Sequence, residues 1–237
     1  MAAITERTKL IIVASPNNPT GAVVGREHLL AIAAAAPQAV LMVDEAYYHF
    51  DGASVMSDLP TVANLIVART FSKAYGLANL RIGMLAGNPK LLQYVRKVSS
   101  PYNVNGVALD CLPVALADEE YVAWYSEQVR VGRERMMSGL SEFGVPFFPS
   151  HANFVLMNIG PKHKEFVSAM RAHGVLLRDR STDPGCDGFV RITIGVEEHV
   201  TQGLGALKAC LDEIGWKKQQ IGDKTGHDDS GSVREFE

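Results

Sequence analysis

A chain of 237 residues, 47% hydrophobic and 21% charged, has room for one large domain or two smaller ones and the balance of an ordinary globular protein. Its net charge of -3 gives no field that would draw it to nucleic acid or to a membrane surface, so neither is expected as a partner. No apolar run is long enough to span a bilayer, the first residues lack the order of a signal peptide, and Cys111, Cys186 and Cys210 show no metal or redox spacing. Reduced thiols in a cytoplasmic protein are expected.

Leu10 to Ala14 is a compact apolar run and predicts a strand buried on both faces. Ser15-Pro16-Asn17-Asn18-Pro19-Thr20-Gly21 then supplies turn chemistry. Arg26 to Ala36 is alanine-rich and helix-like, and Val40 to Val43 is a second buried strand that ends at Asp44. Leu65 to Ala68 is the third strand and leads into Thr70-Phe71-Ser72-Lys73; Ile82 to Ala86 is the fourth. A helix starts at Asn88-Pro89 and runs to about Val98. Strands alternating with helices predict an α/β fold with a mostly parallel sheet. In such sheets ligands sit beyond the carboxyl ends of the strands. Asn18, Asp44 and Ser72-Lys73 lie just past such ends, which would collect them in one pocket.

After Pro101-Tyr102-Asn103-Val104-Asn105 the character changes. Glu119 to Phe143 reads as a long helix whose Val122, Tyr125, Val129, Met136, Leu140 and Phe143 fall on one packing face. Strands are expected at 145–148, 154–157, 175–177 and 190–194, with helices at 163–173 and through Val200 to Ile214. This is the pattern of a small α+β domain. Residues 1–130 are expected to form the large domain and 131–215 the small one, with the boundary inside the long helix. Residues 216–237, polar and mixed in charge, are expected to be disordered. His49, His151 and His173 are scattered, are read as surface or packed side chains, and suggest no metal site.

An amine at the mouth of a strand suits covalent work on a carbonyl, and Lys73 has informative company. SPNNPTG, VDEAYYHF, RTFSKAYGLANLRIG, PYNVN, HANFVL, VLLRD and VRITIG follow one another in this order. Together they resemble the pyridoxal-phosphate-dependent aminotransferases of fold type I (class I/II), the histidinol-phosphate aminotransferase branch in particular, from about Leu10 to about Leu211. The resemblance implies part of that fold and a reversible transfer of an amino group from a small-molecule amino donor to a 2-oxo acid, of the histidinol phosphate and 2-oxoglutarate type used in histidine biosynthesis.

By the same resemblance, Lys73 is the lysine that joins pyridoxal 5'-phosphate and moves the proton. Asp44 keeps the pyridine nitrogen protonated, and Asn18 and Tyr47 donate to the ring oxygen. Ser72 and Arg81 hold the phosphate, with a weaker contribution from Thr70. Arg178 and Arg191, with Asn153 nearby, meet the anionic end of the substrate. An aromatic amino-acid aminotransferase or a phospho-amino-acid decarboxylase of the same fold are the alternative activities. The family's N-terminal part has no counterpart in this sequence. That part supplies a phosphate-binding turn at a helix N-terminus, an aromatic group stacked on the ring and a tyrosine reaching across the dimer. The resemblance therefore also implies open sheet edges and an uncovered apolar face, and with them a homodimer or a complementing N-terminal chain. A truncated, inactive fragment or half of a split enzyme is the contrasting reading.

Overall fold

A computed structural model describes residues 2–218. The first half builds a four-stranded sheet of β1 (Leu10–Ala14), β2 (Val40–Asp44), β3 (Leu65–Thr70) and β4 (Gly83–Gly87), in that order. The first three strands are parallel, and β4 runs antiparallel to β3. α1 (Arg26–Ala35) crosses one face, where its Leu29 and Ala33 are buried against Leu41, Val43, Leu65 and Val67. Side chains alternate along each strand, so the register places Leu10, Ile12 and Leu85 together on the opposite face. That face is open, with Leu10 55%, Ile12 59% and Leu85 41% exposed, so β1 is covered on one face only and not on both as its apolar run predicts, because no helix of the described residues crosses over Leu10 and Ile12.

α2 (Pro89–Val98) begins as its sequence predicts: Asn88 accepts a hydrogen bond from the Lys90 amide at 2.9 Å, and Pro89 fills the first turn. α3 (Gly106–Ala117) is a helix that periodicity does not reveal, because it is apolar nearly all round and carries Pro113 inside it. Asn105 caps it by accepting from the Ala108 amide at 2.9 Å. α4 (Glu119–Glu142) follows, capped by Asp118.

The second sheet is antiparallel throughout, in the order β5 (Phe147–Phe148), β6 (Phe154–Asn158), β8 (Phe189–Thr193), β7 (Arg178–Asp179). α5 (His163–Ala172) and α6 (Glu197–Glu213) complete this half with α4. β7 begins later than the apolar run 175–177 suggests. Those residues close α5 instead: Val175 donates its amide to Met170 O at 2.8 Å after Gly174 turns at a φ of +79°, while Val175 and Leu177 pack on the core. Trp216, the first residue of the expected tail, also packs there and donates Nε1 to Phe143 O at 3.2 Å. Residues 219–237, the rest of that expected tail, lie outside the described residues.

The halves are sewn together by buried polar contacts. Arg133 of α4, 2% exposed, donates to Phe50 O at 2.9 Å and Ala152 O at 3.1 Å and pairs with Asp51 at 3.2 Å. Gly21, at a φ of +78°, sits so close to Ser150 that a Cβ would come within 2.1 Å of Ser150 Oγ. The His151 amide donates to Gly21 O at 2.9 Å. Tyr47 and Phe50, from beyond β2, are buried in the same cluster as Phe154, Met136 and Leu140.

Candidate active site

Lys73 is presented by a closed loop at the end of β3. The Leu77 amide donates to Phe71 O, the Gly76 amide to Lys73 O (both 3.0 Å), and the Ser72 amide to Thr70 Oγ1 at 3.1 Å. Phe71 and Ile82 are buried with Ala108 of α3, which anchors the loop from below. Lys73 Nζ lies 5.5 Å from the Tyr47 ring centroid. Its partial burial, and then the positive charges of Arg191 and Arg81, hold the amine below the ordinary lysine range. A larger fraction is therefore neutral and nucleophilic at neutral pH than in a solvated lysine.

Asp44 ends β2 and accepts the Ala46 amide on Oδ1 at 3.0 Å, which fixes the turn into Tyr47. Tyr47 is held edge-on to Phe154, ring centroids 5.1 Å apart. Burial pushes its phenol up, Arg191 opposes that and Asp44 adds to it. Across the seam, Arg191 of β8 donates Nη1 to Asn18 Oδ1 at 2.6 Å and stands 4.7 Å over the Phe154 ring. Its Nε is buried without a partner, and burial lowers its guanidinium from the usual range. The structure thus gathers Asn18, Asp44, Tyr47, Lys73 and Arg191 into one group. Arg81 stands at its rim, exposed, in a left-handed conformation with φ +53°. That conformation is uncommon for a side-chain-bearing residue.

Arg178 lies directly opposite Arg191 in the pairing of β7 with β8. Among the described residues, neither arginine has a carboxylate at ion-pair distance. Like charges facing each other across a sheet are unfavourable, and an anion between them would relieve that. Asn153 precedes Phe154 in the chain, and its side chain bonds to Tyr125 of α4.

Three supporting groups escape a reading of motifs alone. Arg180 contributes positive charge to Tyr47 and Arg191 while ion-paired to Asp183; the Arg178-Asp179-Arg180 alternation was its only signal. Glu45, 1% exposed, takes Arg69 Nη2 at 2.8 Å, Ser54 Oγ at 2.9 Å and the Val55 amide at 2.8 Å. It locks the turn that carries Asp44 and Tyr47. Asn105 uses its other end to donate to Leu80 O at 2.9 Å, next to Arg81.

Comparison with known proteins places the chain in a family. The family described as aminotransferase class I and II matches residues 1–207, and the chain belongs to that family. It is 35% identical to histidinol-phosphate aminotransferase 2 of Hydrogenovibrio crunogenus over 91% of its own length and 59% of that relative's. It is 41% identical to the aromatic amino acid aminotransferase of Nocardia farcinica over 82% of its own length and 55% of that relative's. The chain thus spans less than two thirds of the curated relatives it matches. The histidinol-phosphate aminotransferase of Sinorhizobium meliloti, solved in complex with pyridoxal-5'-phosphate, superposes with a TM-score of 0.77 at 29% identity. The superposition covers 86% of this chain and 58% of that one. The fold is α/β and is part of the pyridoxal-phosphate transferase fold.

Proposed function

We propose that this chain carries the cofactor lysine and the anion-binding arginines of a pyridoxal-phosphate-dependent transaminase acting on a phosphorylated amine of the histidinol-phosphate type. One observation supports this above others. A lysine with a lowered amine shares a site with Arg191, which faces Arg178 across β7 and β8 with no carboxylate between them. The residues suit such a cofactor: an amine for its aldehyde, a carboxylate for its ring nitrogen and a guanidinium for its phosphate. When bound, the cofactor supplies an electron sink for the substrate's α carbon.

The remaining work falls to the chain itself. Lys73 Nζ, partly neutral, accepts and returns the proton at carbon. Asp44 holds a proton at the ring nitrogen. Tyr47 and Asn18 offer donors to the ring oxygen, and the Ser72 hydroxyl and Arg81 take the phosphate. Arg178 and Arg191 orient the substrate's anionic end, with Asn153 at the edge of the group. The amino acceptor is a 2-oxo acid, and the setting is the cytoplasm; among the described residues no helix is long and apolar enough to cross a membrane. A second copy of the protein is the expected partner.

Borohydride trapping of the full chain with pyridoxal 5'-phosphate tests the lysine. A stable adduct is expected in the wild type and none in Lys73→Ala; equal adduct in both would refute the assignment. The 41% identity to an aromatic amino acid aminotransferase favours a second reading. Arg178→Ala separates the two, because a phosphate-bearing substrate loses a charge-assisted contact and an uncharged aromatic end does not. Turnover of histidinol phosphate should fall about tenfold to a hundredfold, with aromatic substrates little changed; the reverse result favours the aromatic reading.

A further inference from the structure

The C-terminal ends of α5 and α6 bring three metal-ligating side chains together. His173 caps α5, its amide bonded to Ala169 O at 3.0 Å, and its Nε2 lies 2.7 Å from Glu213 Oε1. Cys210 stands one helical turn before Glu213 on α6, so both side chains leave the same face. The ligand atoms of His173, Cys210 and Glu213 all lie within 4.8 Å of one another. Cys210 is fully buried and belongs to the core cluster with Leu207 and Leu211, whereas His173 and Glu213 reach solvent. The cluster therefore has a thiol floor and an open mouth.

We propose that His173, Cys210 and Glu213 form a binding site for one divalent cation of the zinc class, with water as the fourth ligand. The donor set is a soft thiolate, an imidazole and a carboxylate, the combination that zinc and cobalt prefer. Charge balances at the site: the Cys210 thiol and the Glu213 carboxyl bind as anions against two positive charges, and the thiol proton leaves to solvent. Ligand atoms around such an ion lie roughly 3 to 4 Å apart, so closing the cluster needs only small side-chain rotations at its exposed edge. The cation would pin the end of α5 to the end of α6. No reading of cysteine spacing finds this site, because His173 comes from a different helix.

Cobalt titration of the full chain carrying Cys111→Ala and Cys186→Ala tests the proposal, since Cys210 is then the only thiol. One equivalent should produce a thiolate-to-cobalt charge-transfer band with four-coordinate visible bands, both displaced by zinc. Cys210→Ala should remove the charge-transfer band, and the exposed-site variants His173→Ala and Glu213→Gln should weaken affinity by roughly tenfold or more. Zinc should also raise the thermal midpoint of the otherwise unsubstituted chain and not that of His173→Ala. Absence of the band in folded protein, its persistence in Cys210→Ala, or an equal thermal shift in His173→Ala would each overturn the site.

Discussion

The His49 ring lies 3.9 Å from that of Tyr48 and 5.3 Å from that of Tyr75, and the Arg69 guanidinium stands 3.5 Å from the Tyr48 ring. Burial, and then the charge of Arg69, push its imidazole down from 6.5 to about 4. In that window the unfolded chain binds a proton that the folded chain refuses, so stability falls as pH drops from about 6.5 towards about 4. Below about 4 this group adds no further slope. Denaturant unfolding across this range should show a loss of up to about 2 kcal/mol that His49→Gln abolishes; a wild-type slope retained in the variant would place the titration elsewhere. At Lys73 the same desolvation acts with a different consequence. There it leaves a nucleophile rather than a liability, because the residue opens onto the group of polar side chains instead of a stack of rings.

Among the elements, α4 does most to hold the two halves in register. Arg133→Ala would leave Phe50 O and Ala152 O without their buried donor and should cost about 3 kcal/mol in chemical denaturation. Arg133→Lys, which cannot reach both carbonyls and Asp51 at once, should recover only part of it. Gly21→Ala should be destabilising by about 2 kcal/mol or more, since the added methyl meets Ser150 and the φ of +78° disfavours it; a neutral result would show that the loop yields. These elements also mark what the sequence could disclose. The parallel strands, the helix at Pro89 and the long amphipathic helix were legible because periodicity and caps agree with tertiary packing. α3 was not, because an all-apolar stretch with an internal proline has no period to read. β7 was displaced because Val175 and Leu177 serve a helix terminus. The motifs name Lys73, Asp44, Tyr47, Asn18 and Arg191 together, and the structure brings these side chains near one another; their roles stand as proposed. The cross-strand pairing of Arg178 with Arg191, the turn of Asn153 towards Tyr125 and the partnership of Glu45 with Arg69 depend on register and rotamer, which no motif encodes.

At the scale of the whole molecule, the open face of the first sheet is the outstanding surface. Leu10 and Ile12 on β1 and Leu85 on β4 are exposed there, at the two edges of the sheet, and α3 separately exposes Val107, Leu109 and Val114. Apolar area of this kind seeks cover, and the isolated chain should self-associate. Sedimentation at increasing concentration should show oligomers that Leu10→Lys with Ile12→Lys diminishes; a wild-type monomer at all concentrations would show that the face tolerates water.

The hydrogen bond between Arg191 and Asn18 ties the second sheet to the turn after β1 across 173 residues of chain. It engages only the amide oxygen of Asn18 and one Nη of the guanidinium, so the Asn18 amide nitrogen keeps its donors. Under the roles proposed above, the group that meets the ring oxygen and the group that meets the substrate's anionic end are joined by one bond, and a change at either should be felt at both.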